Sequence, residues 1–526
     1  MKKVIVIGAG LGGLSCAIRL AHAGYRVTVV EAQETAGGKL QRVRMGEYSF
    51  DRGPSTITMP HLFERVFTSV GRRMEDYLTL RRLEPAARNI FPDGSRVDLT
   101  EDREAMQEQI ARYSPEDALR YPAFMKEAEA LYREAEKHFL SRMLLTWKDK
   151  LSPRLAAGFL RIRPLTTLQE RLEKHFRHPY TLGLFGRYAT YVGSSPYRAP
   201  AIFAMLAHVE ASLGIYAVQG GTYAIPEAFV RLARELGVDI RTGGKVKLIL
   251  VRGGRAAGVE LQERTEPQGG PGESADAGYG ARTTPQGERL EADLVVANGD
   301  VLTVCRELLD EEDRPAMPDK RIDRYEPSLS GFVILAGVRN RYEELLHHTV
   351  FFPEDYGSEF GEIFDSRTAP QSPAIYLCHS GHSEPGLAPE GGSNLFILVN
   401  APYTSKAWDW EEHGERYRDF ILRRLAEYGL KGIDRPDVSA VYTPEQLKRD
   451  TGAYRGAIYG ISSNSARQTF FRPTNRAANI PGLWFTGGTT HPGGGTPMVT
   501  LSGQLVAERI LEEDRGRAAA FRQARL

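Results

Sequence analysis

The sequence predicts an α/β fold with a parallel sheet at its centre and an α+β domain inserted into it. Three observations support this prediction. Residues 4–31 read as a strand, a glycine turn, a helix and a second strand, which together make a βαβ unit. A second glycine loop follows a predicted strand near residue 485. Short apolar runs bounded by turns fill much of the chain between the two.

The first turn contains glycines at the spacing G-x-G-x-x-G, formed by Gly8, Gly10 and Gly13. In this pattern the first glycine permits a tight turn, the second lets the backbone approach a diphosphate, and the third lets the helix pack closely on the strand. The N-terminus of the following helix presents free N–H groups and a positive dipole end. This unit therefore predicts a Rossmann-type dinucleotide site, against the alternative of an ordinary structural turn.

The residues after the βαβ unit indicate which dinucleotide is bound. Glu31 ends the second strand, where a carboxylate can accept hydrogen bonds from a ribose and repels a 2′-phosphate. FAD or NAD is therefore expected rather than NADP. The turn Gly37, Gly38 and Lys39 follows, and it resembles the FAD-binding turn of the amine-oxidase-like flavoproteins, although a plain glycine turn is the alternative.

Composition excludes several classes of function. The chain has 526 residues, of which 41% are hydrophobic and 26% charged, so it can form about two to four domains with substantial cores. A net charge of +1 gives no general attraction for nucleic acid, and none is expected as a partner. Cys16, Cys305 and Cys378 are too widely spaced for a disulfide framework, which favours a reducing, cytoplasmic compartment.

Membrane contact is expected to be peripheral, at the inner face of the cell membrane, because no segment approaches the ~18 apolar residues of a span. Residues 139–176 are the candidate for this contact, since positions 141–163 mix six basic residues with Trp147 and several apolar side chains. A solvated helical face is the favoured alternative. Residues 263–289 are rich in Gly, Pro and charge and predict a mobile excursion within a hairpin.

Two further segments bear on the substrate side of the protein. Apolar runs at 332–338, 350–352, 374–378 and 395–399 predict a sheet in a second domain. The apolar helix predicted over 201–209 is expected to be core, with the wall of a substrate tunnel as the alternative.

The second glycine loop lies after the strand predicted at 483–486 and runs as GGTTHPGGGTPMV into a helix. Pro497 is suited to the first turn of that helix. The arrangement makes a second helix N-terminus with exposed N–H groups, and its glycines allow the backbone to approach a flat ring closely. Such a terminus stabilises negative charge on a reduced flavin.

Together with the N-terminal unit, the segments GGTTHPGGGTPMVTLSGQ, FDRGPSTITMP, YVGSSPYRAPAIFAML and RGAIYGI resemble the bacterial carotenoid desaturase and oxygenase family of flavoproteins, which is phytoene/diapophytoene desaturase-like. Within that family the sequence is most similar to the C30 diaponeurosporene and diapolycopene oxygenases. The resemblance implies an FAD-binding domain of the amine-oxidase-like class built from residues 1–85, 215–300 and 475–526. Residues 86–214 and 301–474 would form the inserted α+β substrate-binding domain.

The resemblance also assigns site residues. It places Gly8, Gly10, Gly13, Glu31, Gly38 and Lys39 against the dinucleotide half of FAD, Val246 against adenine, and Gly488, Pro497 and Met498 beside the isoalloxazine. His491 is a candidate general base, with a plain loop residue as the favoured alternative. No metal is expected: Cys378, His379 and His382 offer three ligands without a fourth, a pattern that is more often structural.

The implied reaction is FAD-dependent oxidation of the terminal methyl groups of a C30 diapocarotenoid, such as diaponeurosporene or diapolycopene, to the aldehyde. The alternative is a phytoene or diapophytoene desaturase that forms C=C bonds by hydride transfer to FAD. An apolar polyene substrate implies an apolar tunnel. Two other classes are considered, a prenyl-binding escort protein with a degraded glycine motif and an amine oxidase with a polar pocket.

Overall fold

The structure is a computed structural model that describes residues 1–140, 143, 164–262, 287–384 and 386–523. Its strands, in chain order, are β1 (Lys3–Ile7), β2 (Arg26–Val30), β3 (Gln41–Met45), β4 (Tyr48–Arg52), β5 (Ile57–Thr58), β6 (Leu80–Arg82), β7 (Ala87–Ile90), β8 (Arg96–Leu99), β9 (Ile215–Val218), β10 (Asp239–Arg241), β11 (Val246–Arg252), β12 (Arg255–Leu261), β13 (Arg289–Glu291), β14 (Leu294–Ala297), β15 (Ser330–Val338), β16 (His348–Phe351), β17 (Ile375–His379), β18 (Ser393–Ala401), β19 (Val438–Tyr442) and β20 (Leu483–Phe485).

The α-helices, numbered separately, are α1 (Leu11–His22), α2 (Pro60–Thr68), α3 (Arg103–Ala111), α4 (Pro115–Ala135), α5 (Leu168–Leu172), α6 (Pro179–Gly186), α7 (Met205–His208), α8 (Ala224–Glu235), α9 (Val301–Leu308), α10 (Asp319–Ile322), α11 (Ser358–Gly361), α12 (Trp410–Glu427), α13 (Pro444–Thr451), α14 (Ala466–Phe470) and α15 (Thr496–Gln523). Short 3₁₀ turns include Arg187–Val192.

A five-stranded parallel sheet, in the order β10-β2-β1-β14-β20, forms the base of the molecule. Its strands come from the three stretches that the sequence assigns to the FAD domain. Strand β14, between β1 and β20, is buried along its whole length, as expected for a strand covered on both faces. Helix α1 packs against α15 so tightly that a Cβ on Gly503 would lie 2.0 Å from the carbonyl oxygen of Gly12.

A seven-stranded sheet, in the order β19-β15-β18-β17-β16-β7-β8, lies in the part of the chain assigned to the substrate domain. Successive side chains of β15 point to opposite faces of this sheet. Phe332 packs against Trp410 of α12 on one side, with ring centroids 4.9 Å apart. Val333, with Phe396 and Leu398 of β18, faces a large cavity on the other side. The cavity therefore lies between this sheet and the rest of the fold.

The predicted elements around the site agree with the structure to within a few residues, but two differences are informative. The segment at 201–209 is not one regular helix: it begins as a 3₁₀ turn at Ala201–Ala204, continues as α7 and ends in a π-helical turn at Val209–Leu213. In the predicted excursion, Arg289 already belongs to strand β13, which pairs with β12.

Two predicted segments lie wholly or largely outside the described residues. These are positions 263–286 of the excursion and most of the basic stretch at 141–163. Within the described part of the chain, no helix has both the length and the apolar character that a bilayer span requires.

Candidate functional site

A single cavity of about 1590 Å³ reaches both glycine loops. Gly8 and Gly10 of the first turn line it, and so do Gly488, Pro497 and Met498 of the second loop. The two loops lie at the carboxyl ends of β1 and β20 in the same parallel sheet. This edge of an open α/β sheet is where such folds bind ligands.

The first glycine turn leaves no space for side chains on its inner side. Gly8 has φ +94°, and a Cβ there would lie 2.9 Å from the carbonyl oxygen of Asn298. A Cβ on Gly13 would lie 2.2 Å from the carbonyl oxygen of Gly8, so helix and strand approach each other as the motif predicts. Gly13 itself is absent from the cavity wall. The structure shows a packing role for Gly13, and its contact with the dinucleotide stays a prediction.

The opening of α1 is free for an anion. Its N-cap is Gly10, which has no side chain to cap the helix, and no acidic residue lies in the first turn. Uncapped N–H groups at a helix N-terminus, combined with the dipole, favour a phosphate.

Glu31 lies in the cavity wall and is only 7% exposed. Its Oε2 accepts a hydrogen bond from the backbone N–H of Ala9 at 2.7 Å, and its Oε1 accepts one from Gln33 at 2.9 Å. Burial raises the pKa of Glu31, while these backbone hydrogen bonds oppose the rise. The carboxylate is thus held in place at the end of β2 with lone pairs left for hydroxyl donors.

The turn after Glu31 folds back onto the first glycine turn. The N–H of Gly37 donates to the carbonyl oxygen of Ala9 at 2.9 Å, and Gly38 adopts φ +62°. The ammonium of Lys39 donates to the carbonyl oxygen of Ile458 and, at 3.4 Å, to that of Ala457. Desolvation lowers the pKa of Lys39 to about 8, partly offset by the negative charge of Asp300.

The second loop is held against the sheet edge by polar contacts. Thr489 donates to the Asp300 carboxylate at 2.9 Å. The buried guanidinium of Arg472 donates to the carbonyl oxygen of Gly488 at 3.1 Å and to the hydroxyl of Ser463 at 3.0 Å. Desolvation lowers the pKa of Arg472 to about 10. A positive charge is therefore buried beside the loop, where a negatively charged ligand group would be stabilised.

Two other predicted residues also line the cavity. Val246 lies at the start of β11. His491 lies in the second loop, where its carbonyl oxygen accepts hydrogen bonds from Asn475 at 2.9 Å and Ser502 at 3.0 Å. These bonds fix the backbone of His491, and a catalytic role for its ring stays a prediction.

Beyond the glycine loops the cavity continues as a chamber walled mainly by apolar and aromatic side chains. They include Met59, Tyr132, Phe139, Ile202, Phe203, Met205, Leu206, Val209, Val333, Val350, Phe396 and Leu398. The segment 201–209 therefore belongs to the core, as expected, and part of it also forms a wall of the chamber, which was the alternative. Ala204 and Ala207 pack in the core and do not line the chamber. Ile202 and Phe203 belong to the same core cluster and also line the chamber.

Sequence reasoning missed several polar residues of the cavity. Asn298 and Asp300 follow β14 at the same sheet edge as Gly8, and the Asn298 side chain donates to the Gly8 carbonyl at 3.3 Å. Their position after a buried strand was a usable signal. Arg187 and Arg472 also line the cavity, and no local pattern marks either of them.

The histidines of the substrate domain are arranged differently from the sequence interpretation. Among the described residues, Cys378 groups with His347 and His348, whose ligating atoms lie within 4.8 Å of one another, rather than with His379 and His382. Burial lowers the pKa of His347 to about 3 and that of His348 well below its usual range. Both rings are therefore neutral at physiological pH.

Comparison with known proteins identifies the family to which a chain with this site belongs. The family model of flavin containing amine oxidoreductases matches residues 11–511. The chain belongs to this family. Its cofactor is FAD.

Curated relatives match nearly the whole of this family member. It is 35% identical to a zeta-carotene-forming phytoene desaturase of Myxococcus xanthus, over 97% of this chain and 94% of the relative. It is 34% identical to a 4,4′-diapolycopene oxygenase of a Methylomonas species, over 97% of this chain and 98% of the relative. It is 33% identical to a 4,4′-diaponeurosporene oxygenase of Staphylococcus haemolyticus, over 97% of both chains.

Solved structures of amine oxidases share its fold. Putrescine oxidase aligns with a TM-score of 0.61 at 16% identity, over 97% of this chain and 99% of that one. Cyclohexylamine oxidase from Brevibacterium oxydans aligns with a TM-score of 0.58 at 16% identity, over 98% of this chain and 99% of that one. The α/β fold of the amine-oxidase-like flavoproteins predicted from the sequence is thereby confirmed.

Proposed function

We propose that the protein is an FAD-dependent oxidoreductase of linear, carotenoid-type polyenes. Its main reaction would be oxidation of the terminal methyl groups of a C30 diapocarotenoid to the aldehyde. The observation that supports this most directly is the single cavity, which joins the glycine loops of a dinucleotide site to an apolar chamber.

The size and lining of the cavity support two ligands rather than one. Ligand pockets usually have volumes of about 300–1,000 Å³, and this one measures about 1590 Å³. A polyene has almost no hydrogen-bonding groups, so a chamber walled by Leu, Val, Phe and Met side chains suits it. An amine substrate would instead need a polar chamber.

We assign the residues of the cavity to roles that follow from their chemistry. Gly8 and Gly10 leave room for the diphosphate at the opening of α1, with Gly38 and Lys39 flanking it. Glu31 accepts hydrogen bonds from the ribose, and Val246 contacts adenine. Gly488, Pro497 and Met498 form the backbone wall beside the isoalloxazine. The bound flavin supplies the two-electron oxidation, and the protein positions the polyene and excludes water.

The alternative activity is desaturation of phytoene or diapophytoene. It is supported by the phytoene desaturase of Myxococcus xanthus, which is as similar to this chain as the two oxygenases are. An apolar chamber suits both reactions, since both substrates are hydrocarbon chains.

We further propose that residues 1–85, 215–300 and 475–526 act as the FAD domain, and that residues 86–214 and 301–474 act as the substrate domain. A polyene substrate resides in lipid. Peripheral contact with the inner face of the cell membrane, through residues 139–176, would give the chamber access to it.

The deciding experiment is expression in bacteria that make C30 or C40 carotenoids, followed by pigment extraction. Aldehyde end groups on C30 pigments would support the main proposal, and longer conjugation without oxygen would support desaturation. Unchanged pigments, with normal FAD content in the purified protein, would refute both. Anaerobic mixing with a carotenoid and with an amine gives a second test, because bleaching of the flavin by the amine alone would indicate an amine oxidase.

A further inference from the structure

A buried arginine lies beside the second glycine loop. Arg472 is 8% exposed and lines the cavity. Its Nη1 donates to the carbonyl oxygen of Gly488 at 3.1 Å, and its Nη2 donates to the hydroxyl of Ser463 at 3.0 Å. Both acceptors are neutral, and within the described part of the chain no carboxylate bonds to this guanidinium. Burial of an unpaired charge is costly, so this position calls for a negative partner.

Part of the Arg472 guanidinium is left open to the cavity. Its Nε has no acceptor among the described residues and keeps accessible surface. The neighbouring Gly493 also lines the cavity, and a Cβ there would lie 3.5 Å from this Nε. Because Gly493 has no side chain, the loop leaves this edge of the guanidinium uncovered. A positive charge with a free donor therefore remains for a bound group.

The charges around the loop do not balance. Desolvation lowers the pKa of Arg472 to about 10 and that of Lys39 to about 8, so both groups remain mainly protonated at neutral pH. Asp300 is the one charged group that acts on the pKa of either cation. Its carboxylate is already fixed by hydrogen bonds from Thr489 and from the N–H of Leu302. One carboxylate thus serves two cations, which leaves an excess of one positive charge.

Lys39 is connected to the same loop through residues 457–460. Its ammonium donates to the carbonyl oxygens of Ala457 and Ile458. Two positions further on, Gly460 lies so close to the loop that a Cβ on it would be 2.1 Å from the hydroxyl oxygen of Thr489. Both cations therefore lie around the second glycine loop, and so does the excess charge.

Helix α15 adds to this positive region. It begins at Thr496, directly after the loop, and its first turn contains no acidic residue. Pro497 and Met498 of that turn line the cavity, where the positive end of the helix dipole lies. The diphosphate is assigned to the other helix opening, at Gly8 and Gly10. The region around Arg472 therefore calls for a second negative group.

We propose that Arg472 stabilises the negative charge of the isoalloxazine ring in reduced FAD and so raises the reduction potential of the bound cofactor. This inference rests on the proposed function and deepens it. A hydride transferred from the substrate adds two electrons and one proton to the ring, which gains one negative charge. That charge matches the excess beside the loop. A hydrocarbon C–H bond is a weak hydride donor, so its oxidation requires a strongly oxidising flavin.

The first test uses the FAD-loaded wild-type protein and requires no mutation. The midpoint potential of the bound flavin, measured against a reference dye, should be more positive than that of free FAD in the same buffer. Sulfite is a second probe: its lone pair forms a bond to N5 of the oxidised ring, nothing leaves, and the ring becomes negatively charged. We expect the wild-type protein to bind sulfite, with bleaching of the flavin absorbance.

The matching variants are Arg472→Gln, which removes the charge and keeps a donor, and Arg472→Lys, which keeps the charge. A hydrogen bond to a charged group contributes about 1.5–3 kcal/mol, so the Kd for sulfite should rise at least about tenfold in Arg472→Gln. The midpoint potential should fall by about 30 mV or more, which is the same factor for a two-electron couple. Arg472→Lys should recover most of both effects.

Arg314→Gln is the control, since Arg314 is 6% exposed, pairs with Asp319 at 2.8 Å and does not line the cavity. It should leave the sulfite Kd and the midpoint potential at their wild-type values. An equal fall of the potential in Arg314→Gln and Arg472→Gln would overturn the inference, because loss of any buried charge would then be sufficient.

Unchanged sulfite affinity and potential in Arg472→Gln, with FAD bound, would overturn the role of Arg472 and leave the proposed function standing. Loss of oxidised FAD from this variant, with a wild-type potential in the FAD that remains, would assign Arg472 to the diphosphate and also overturn it. If Arg472→Gln does not fold, the wild-type measurement decides: a potential at or below that of free FAD would refute the inference. A wild-type protein that binds no FAD would overturn both proposals.

Discussion

The hydroxyl of Thr489 donates a hydrogen bond to the carboxylate of Asp300 at 2.9 Å, although 189 positions separate them in the chain. Asp300 also caps helix α9 by accepting from the N–H of Leu302 at 3.0 Å. The bond ties the second glycine loop to the end of β14, next to the strand that leads into the first glycine turn. One sheet edge thereby brings both loops to one cavity.

Removal of this bond should loosen the second loop. Thr489→Val keeps the shape of the side chain but removes the donor from a partly buried carboxylate, and a hydrogen bond to a charged group contributes about 1.5–3 kcal/mol. We expect a lower melting temperature and weaker FAD retention, measured by thermal unfolding and by flavin absorbance after dialysis. Thr68→Val, at an exposed helical position that contacts no part of the cavity, is the control. Equal FAD retention in both variants would show that the bond does not organise the site.

Gly10→Leu should abolish FAD retention without unfolding the protein. The backbone at Gly10 has φ −74°, which any residue can adopt, and a Cβ would lie 3.0 Å from the Asn298 amide nitrogen and 3.9 Å from the Cα of Gly38. The longer leucine branches would extend toward the space assigned to the diphosphate. The measurement is the flavin spectrum of the purified variant, together with its circular dichroism. Normal FAD content would refute the placement of the diphosphate.

Gly13→Ala is the matched variant. We expect it to lower the stability of the protein itself, whereas Gly10→Leu should affect only FAD retention. The Cβ added at Gly13 would lie 2.2 Å from the Gly8 carbonyl oxygen, so strand and helix must separate. Overpacking of this kind costs about 1–3 kcal/mol or more. The loss should appear as a lower unfolding midpoint in urea even when FAD is absent, which distinguishes a packing role from a ligand role.

Glu359 should make stability depend on pH between about 4.5 and 7. It is fully buried, and it accepts hydrogen bonds from the Ala374 N–H at 2.7 Å and the Asn400 amide at 2.8 Å. Burial raises the pKa of Glu359 from 4.5 to about 7. The folded state therefore binds the proton more strongly than the unfolded state, and the free energy of unfolding falls as pH rises through this window.

The variant Glu359→Gln is the test of this pH dependence. Relative to wild type it should gain stability as pH rises from about 4.5 to 7, by roughly 1.4 kcal/mol per unit of pKa shift at most. Urea unfolding at several pH values measures the difference. Glu354→Gln, at an exposed position in the preceding loop, is the control. Parallel pH profiles for wild type and Glu359→Gln would contradict the prediction.

Membrane contact is tested by replacing Arg142, Lys148, Lys150 and Arg154 with Gln. These residues lie outside the described part of the structure, so the prediction rests on sequence alone. Each basic residue near an anionic bilayer contributes about 1 kcal/mol, and sedimentation with anionic liposomes at low salt should fall markedly. Unchanged sedimentation would favour the alternative that this segment is a solvated helical face.

The sequence predicted a site residue correctly where the local backbone conformation or the strand pattern requires that type of residue. Gly8 and Gly38 occupy backbone conformations with positive φ, and Glu31 ends a strand whose pattern is visible in the sequence. The same local reasoning failed for 201–209, because regular helical spacing did not reveal that the segment changes from 3₁₀ to α to π geometry.

By itself, the sequence determined the βαβ unit, the two glycine loops and the family, since each depends on short-range patterns of glycine, apolar and acidic residues. Only the tertiary structure decided that both loops open into one cavity and that Lys39 donates to Ile458, 419 positions away. It alone paired Arg187, which lines the apolar chamber, with Glu210. The physical reason is that burial and charge pairing depend on which distant segments pack together, and spacing along the chain does not encode this.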